Sequence, residues 1–362
     1  MSVIDLTDRL AADGSGAYGR VAVFGAGAWG TALAAVAVRA GRETALWGRD
    51  AAVIAEIARE RRNRRYLGDI ALPEGLRATT DAAEAGGGAQ VALLVAPSGA
   101  LRAVAALAHG VLAPEVPVVV AAKGVEQGSG KLMTDIAAEA APGRTVAVLS
   151  GPSFADEVAR DLPTAVVIAS GCAAGETPET CVAARLALTL GSETFRPWFS
   201  DDVIGVEIGG AVKNVIAIAC GMAQGAGFGL NARAALITRG LDEIKNLAHA
   251  LGGRRETVTG LSGMGDLALT ASDPKSRNFA FGLSLGRGER PDPAKLVEGA
   301  PNAVSITDLA RARGVEMPIC EAVRAVVHDG ADFAATFRAL WTRPIEAEPR
   351  ALDVVLQHPA AS

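Results

Sequence analysis

The feature that most limits what this chain can fold into lies near its start. An aliphatic run, VAVF (21–24), passes directly into GAGAWG (Gly25, Ala26, Gly27, Ala28, Trp29, Gly30) and then into TALAAVAVRAG, which closes at Gly41. The run reads as a strand and the alanine-rich stretch as a helix. A GxGxxG spacing alone is a weak signal, but between a strand and a helix it is the dinucleotide-binding fingerprint. In that setting Gly25 permits a tight turn, Gly27 lets the backbone approach a pyrophosphate, and Gly30 lets helix and strand pack closely. The unpaired amides of the helix N-terminus then face the phosphates. A glycine turn with no ligand is the competing reading.

Further apolar runs follow at TALW (44–47), VALLVA (91–96), VPVVVAA (116–122), TVAVLS (145–150) and AVVIAS (165–170), separated by helical stretches. Continuous apolar strands alternating with helices predict a parallel sheet covered on both faces, an α/β doubly wound fold of Rossmann type. After FRPWFSDDV (195–203) the pattern turns to long helices joined by glycine-rich turns. We therefore divide the chain into an N-terminal extension (1–20), a dinucleotide-binding domain (21–200), a helical substrate domain (201–340) and a tail (341–362).

The end of the second strand decides between cofactors, since a carboxylate there binds the ribose 2′-hydroxyl and an arginine accommodates a 2′-phosphate. LWGRD places Arg49 at that point, which favours NADP and leaves NAD open; the adjacent Asp50 reads as the N-cap of the next helix. RERRNRR (59–65) reads as a solvated cationic helix end, with a role near the adenosine phosphate as the alternative.

GGAVKNVIAIACG (209–221) raises a different question, because Lys213 and Asn214 sit inside a helix of glycine, alanine and aliphatics. Helical side chains lean back over the preceding turn, so Lys213 projects across Gly209 and Gly210, where no side chain obstructs it. Either its stem snorkels and the amine reaches water, or the amine is partly desolvated. In the second case its pKa falls, as a general base near neutrality requires. The chemistry that matches a nicotinamide partner is alcohol oxidation, with the base taking the hydroxyl proton.

Other segments could complete such a site. Lys123 follows a strand in VVVAAKGVEQG, at the carboxyl edge of the sheet. SGPSFADEVA places Gly151, Ser153 and backbone amides between a strand and a helix, a natural anion nest. GMGDLALTASDPKSRNFAFG carries Asp266, Thr270, Ser276, Arg277 and Asn278, and the Ser-Arg-Asn run offers donors for a phosphate. Each has a structural reading too, Asp266 as a helix cap and Arg277 as a surface charge.

Composition excludes several classes. A net charge of −5 supplies no footprint for nucleic acid or an anionic membrane. Cysteines at 172, 181, 220 and 320 show no metal-like spacing, which points to no metal and to a reduced, cytoplasmic setting. Residues 1–20 lack the apolar core of a signal peptide, and the apolar runs break before about 18 residues, so no membrane span is expected.

At these residues the chain resembles the bacterial NAD(P)-dependent sn-glycerol-3-phosphate dehydrogenases. The resemblance runs from GAGAWGTALA through AAKGVE, SGPSFADEVA, LPTAVVIAS, the long block around Lys213, GLSGMGDLALT, SRN and VEGA to VEMPI (315–319). It implies reversible conversion of glycerol 3-phosphate to dihydroxyacetone phosphate, supply of glycerol 3-phosphate for phospholipid synthesis, and a helical domain similar to that of 6-phosphogluconate dehydrogenase. By resemblance Lys213 is the proton acceptor, with Lys123, Gly151, Ser153, Asp266, Ser276, Arg277 and Asn278 at substrate-contacting positions. Ala28, Trp29, Arg49, Tyr66, Lys123, Ala155, Arg277, Leu296 and Glu298 fall where the family binds dinucleotide, and Asn214 and Thr270 orient the substrate or the lysine. Ala28 stands where serine is frequent, LLVAPS replaces a more usual valine-proline, and RRYLGD lacks an expected proline. The alternatives weighed are a hydroxy-acid dehydrogenase of the same architecture and a cofactor-sensing protein without turnover. A homodimer is the one assembly entertained, and no residue argues for it.

Overall fold

The computed structural model describes residues 16–172, 181–290, 297–346 and 355–356. Eight strands build one sheet: β1 (Arg20–Phe24), β2 (Glu43–Trp47), β3 (Arg77–Thr79), β4 (Val91–Leu94), β5 (Val118–Val120), β6 (Val146–Ser150), β7 (Thr164–Ser170) and β8 (Phe195–Ser200). Their spatial order is β3-β2-β1-β4-β5-β6-β7-β8, so the first six follow the doubly wound order 3-2-1-4-5-6 with its switch point between β1 and β4. All six strands expected from apolar runs form. β4 and β5 are buried throughout, as expected for strands covered on both faces.

The expectation of a wholly parallel sheet needs one correction, because β7 runs antiparallel to β6. The helix between them, Ala155–Ala159, has five residues and spans only about 7.5 Å at 1.5 Å per residue. It is too short to return the chain along the sheet, so β7 starts from the end where β6 stopped. Two strands lacked a signal in the sequence: β3 has three residues at one edge, and β8 (FRPWFS) is the opposite edge, half exposed and broken by Pro197. Edge strands need no continuous apolar run, and tolerate proline.

The helical part is built around the helix Val203–Gly225, buried from Gly205 to Ala223. The Asp202 carboxylate caps its start, accepting from the Gly205 amide at 2.9 Å. With a mean hydropathy of 1.7 over an 18-residue window, this helix is long and apolar enough to cross a membrane, contrary to the reading that every apolar run is too short; 89% of that window is buried inside the protein. Glu207 and Lys213 do not offset so many aliphatic neighbours. The helix Arg277–Gly286 packs along it backbone against backbone. A Cβ on Gly282 would lie 2.1 Å from the Ile218 carbonyl oxygen, and one on Gly221 2.1 Å from that of Phe279. Beyond these helices, β9 (Ile345–Glu346) and β10 (Val355–Leu356) pair antiparallel.

Because the obstructing atoms are backbone, Gly282→Ala should destabilise the protein by about 1–3 kcal/mol, the usual range for overpacking. A urea titration would show this as a lower midpoint at unchanged slope, and an unchanged midpoint would mean that the two helices can separate freely.

Candidate active site

The glycine-rich turn has the form that a dinucleotide requires. Gly25 adopts φ +128°, and a Cβ there would sit 1.9 Å from the Val95 carbonyl oxygen; one on Gly30 would sit 1.8 Å from that of Gly25. A Cβ on Gly27 would meet nothing within 4 Å. Gly25 and Gly30 are thus needed for turn and packing, while Gly27 faces open space. Gly27 caps the helix Ala28–Arg39, whose first turn holds neither a side-chain cap nor a carboxylate. Its leading amides are therefore available to a pyrophosphate. Ala28, Trp29 and Ala155 are partly buried against the core beside this turn, and the helix begun by Ala155 packs on Ala28–Arg39.

The second cluster joins the sheet to the helices. Lys213 is 6% exposed, and its amine donates to Thr270 Oγ1 at 2.7 Å and pairs with Asp266 Oδ1 at 3.1 Å. Thr270 in turn donates to Asp266 Oδ1 at 3.2 Å. The other carboxylate oxygen of Asp266 meets Lys123 Nζ at 2.6 Å. Lys123 also donates to the Gly151 carbonyl at 3.2 Å, which accepts from Ser153 Oγ at 3.0 Å. Five residues singled out in separate stretches of sequence, with Gly151, thus form one hydrogen-bonded group across β5, β6 and the central helix.

Burial pushes the Lys213 amine down to about 8; the Asp266 charge opposes this and Lys123 reinforces it. Burial disfavours the Asp266 charge as well, but the two ammonium groups outweigh it and hold its carboxyl below the usual range. Asp266 is no helix cap, since Gly265 precedes the helix Asp266–Thr270 and the carboxylate faces both lysines. The open face expected over Gly209 and Gly210 is partly used inside the protein. A Cβ on Gly210 would lie 2.5 Å from Ser150 Oγ and in ordinary contact, 3.5 Å, with Lys123 Cγ, so this glycine makes room for the Ser150 hydroxyl. Gly209 lies against Ser262 and Gly263.

Asn214 does not touch Lys213. Its Oδ1 accepts from Asn278 Nδ2 at 2.8 Å, and Asn278 Oδ1 accepts from the Gly299 amide at 2.9 Å, which ties three helices together. Ser276 caps the helix Arg277–Gly286 through a 3.3 Å contact from the Phe279 amide. Arg277 at its first position is exposed. Burial raises the Glu298 carboxyl against the opposing charges of Arg277, Lys123 and Lys213, which places Glu298 in the field of the cluster. Arg49 is exposed beyond β2 and Tyr66 is 46% exposed. Leu296 lies outside the described residues. RERRNRR is less free than a solvated cationic helix end, because Arg64 pairs with Glu56, Glu60 and Asp69 and Arg65 with Asp50. Asp50 is the N-cap expected of it, accepting from Ala52 and Val53 amides.

Two positioning residues were not singled out in the sequence. Glu207, six residues before Lys213, accepts from the Thr134 amide at 2.9 Å and its hydroxyl at 2.5 Å, and so clamps the central helix to the helix Met133–Ala140. Its carboxyl is pushed up to about 7 by burial. A lone carboxylate in an apolar helix was the available signal, the same one that marked Lys213. Buried Asn63 donates to the Ala26 carbonyl and Thr31 Oγ1, pinning the arginine-rich segment to the glycine turn.

The chain is similar to known proteins along most of its length. Residues 20–175 match the profile described as NAD-dependent glycerol-3-phosphate dehydrogenase N-terminus, and residues 202–338 the corresponding C-terminus. A glycerol-3-phosphate dehydrogenase [NAD(P)+] of Bradyrhizobium sp. (strain ORS 278) is 51% identical over 328 residues, covering 91% of this chain and 98% of that protein. Another, from Rhodospirillum rubrum, is 48% identical over 333 residues, covering 91% of this chain and 93% of its own. The crystal structure of the Coxiella burnetii glycerol-3-phosphate dehydrogenase superposes with a TM-score of 0.82 at 38% identity, over 90% of this chain and 99% of that one. The chain belongs to the NAD-dependent glycerol-3-phosphate dehydrogenase family.

Proposed function

We propose that this protein interconverts sn-glycerol 3-phosphate and dihydroxyacetone phosphate, with Lys213 moving the proton. The observation that carries the reading is the lysine-aspartate-lysine group around buried Asp266 and Lys213, in which one carboxylate holds two amines and one amine is poised near neutrality. A bound NAD(P) supplies the chemistry of accepting hydride from the substrate C2 carbon or returning it. Neutral Lys213 takes the C2 hydroxyl proton during oxidation, and its ammonium gives the proton back during reduction. Asp266 stays ionised and keeps both lysine amines in place. Lys123 contributes a positive charge where negative charge develops on oxygen.

For the phosphate, the Asn278 side chain is already engaged by Asn214 and Gly299, which leaves the Arg277 guanidinium and the amides of its helix start as the main donors. Ser276 Oγ accepts its capping bond and keeps its own proton to donate. We read residues 21–200 as the cofactor unit and 201–340 as the helical unit. Exposed Arg49 beyond β2 supports NADP as the preferred cofactor. We further read a cytoplasmic role in supplying glycerol 3-phosphate for phospholipid synthesis. The described site residues come from one chain, so a homodimer is not needed to bring them together.

Lys213→Ala should lower kcat for glycerol 3-phosphate oxidation by on the order of 10² to 10⁴, with cofactor affinity nearly intact. Activity close to wild type would remove Lys213 from the chemistry. Arg277→Ala should chiefly raise the KM for glycerol 3-phosphate, by about ten- to a hundredfold for a lost charge-assisted contact; an unchanged KM would place the phosphate elsewhere. Because the neutral amine is the base, log(kcat/KM) for oxidation should climb with pH and level off above a break at about 8. Reduction needs the ammonium and should fall through the same pH. An oxidation profile that is flat between pH 7 and 9 would exclude this titration.

A further inference from the structure

The ion pair between Asp50 and Arg65 stands where the adenosine end of a dinucleotide must lie. Three stretches converge there: the glycine-rich turn, the end of β2, and the segment from Asn63 to Tyr66. A Cβ on Gly48 would lie 2.6 Å from that of Ala26, so the end of β2 presses on the turn. Asn63 Nδ2 donates to the Ala26 carbonyl at 3.1 Å and to Thr31 Oγ1 at 2.8 Å, which docks its segment on the other side. In this fold the ribose 2′ position faces the residues that follow β2. Those residues are Arg49 and Asp50.

Asp50 has both carboxylate oxygens occupied. Oδ1 accepts from the Ala52 and Val53 amides at 3.0 and 3.2 Å, and Oδ2 holds Arg65 Nη1 at 2.6 Å. The carboxylate is therefore committed to the helix start and to an arginine instead of being offered to a ribose hydroxyl. Arg65 is the more exposed partner, at 61% against 39% for Asp50, and its guanidinium lies 5.4 Å from the centroid of the Tyr66 ring. Its neighbours in the basic run are engaged away from the turn: Arg64 with three carboxylates and Arg61 with the Leu76 carbonyl.

An exposed arginine-carboxylate pair is weakly held, and a phosphate presents more charge and matches the guanidinium in two hydrogen bonds. We propose that Arg65 is a specificity-determining residue for the 2′-phosphate of NADP, exchanging Asp50 for that phosphate and acting with Arg49. Asp50 is its built-in competitor. Asp50 holds Arg65 beside the site when no 2′-phosphate is present, and the negative charge of its carboxylate repels that phosphate. This inference rests on the reading of the protein as an NADP-using enzyme.

Direct binding to the full chain tests it, by calorimetry with NADP+, NAD+, adenosine 2′,5′-bisphosphate and adenosine 5′-monophosphate. The wild type should bind the bisphosphate at least about tenfold more tightly than the monophosphate, in line with a charge-assisted phosphate contact. Arg65→Ala should weaken NADP+ and the bisphosphate by about tenfold while NAD+ shifts by less than about twofold. Asp50→Asn keeps a side chain that caps as well as aspartate, and should tighten the bisphosphate. Arg65→Lys, which retains charge without the two-pronged geometry, should fall between wild type and Arg65→Ala. Matching thermal melts establish that each variant is folded. If the wild type discriminates for the 2′-phosphate and Arg65→Ala discriminates equally well, Arg65 is not the residue responsible and NADP use still stands. If the wild type is blind to the 2′-phosphate, NADP preference and this proposal fall together.

Discussion

One buried carboxylate shared by a buried amine and a half-buried one is the interaction on which the candidate site depends. Asp266 is 2% exposed, and an isolated charge so deep in protein would be strongly disfavoured. Two ammonium groups within 3.1 Å make it tenable, and they become tenable through it. The balance is uneven by design of the cluster, since two positive groups face one negative one. Burial removes part of the surplus by lowering the proton affinity of Lys213, and a surplus of positive charge is what a phosphorylated alcohol would meet.

That group can form only if the central helix comes very near the sheet. Gly210 lets the Ser150 hydroxyl lie against the helix where a Cβ would intrude, with the stem of Lys123 beside it. Farther along, Gly221 and Gly282 let a second helix approach to backbone contact, and the same second helix begins with Arg277. Close packing of glycine-bearing helices therefore decides how far Arg277 stands from the lysines. Glu207, on the central helix and clamped to Thr134, joins that helix to the half that carries the sheet. Small residues and one buried carboxylate set the geometry, while the lysines use it.

The cofactor side follows a similar economy of space. Gly25 and Gly30 are dictated by contacts shorter than any side chain would allow, whereas Gly27 opens outward. Asn63 then fixes a polar, arginine-rich segment against this turn, so charges remote in sequence from β2 arrive beside its end.

By itself the sequence determined the fold class, the glycine turn and the candidate chemistry. Continuous apolar runs can be satisfied only as covered strands, GxGxxG between strand and helix has few uses, and a lysine inside an apolar helix announces itself by its desolvation. Glu207 is legible by the same rule, as a lone carboxylate in the same apolar helix. Other features had no local signature. The antiparallel turn of β7 depends on the length of a helix, and β3 and β8 are edges whose pairing, not their composition, makes them strands. That Lys123 and Lys213 share Asp266, that Asn214 bonds Asn278 and leaves the lysine alone, and that Arg65 reaches Asp50 were settled only by tertiary structure. Hydrogen bonds and ion pairs act over about 3 Å, and which residues come that close is decided by packing between segments far apart along the chain.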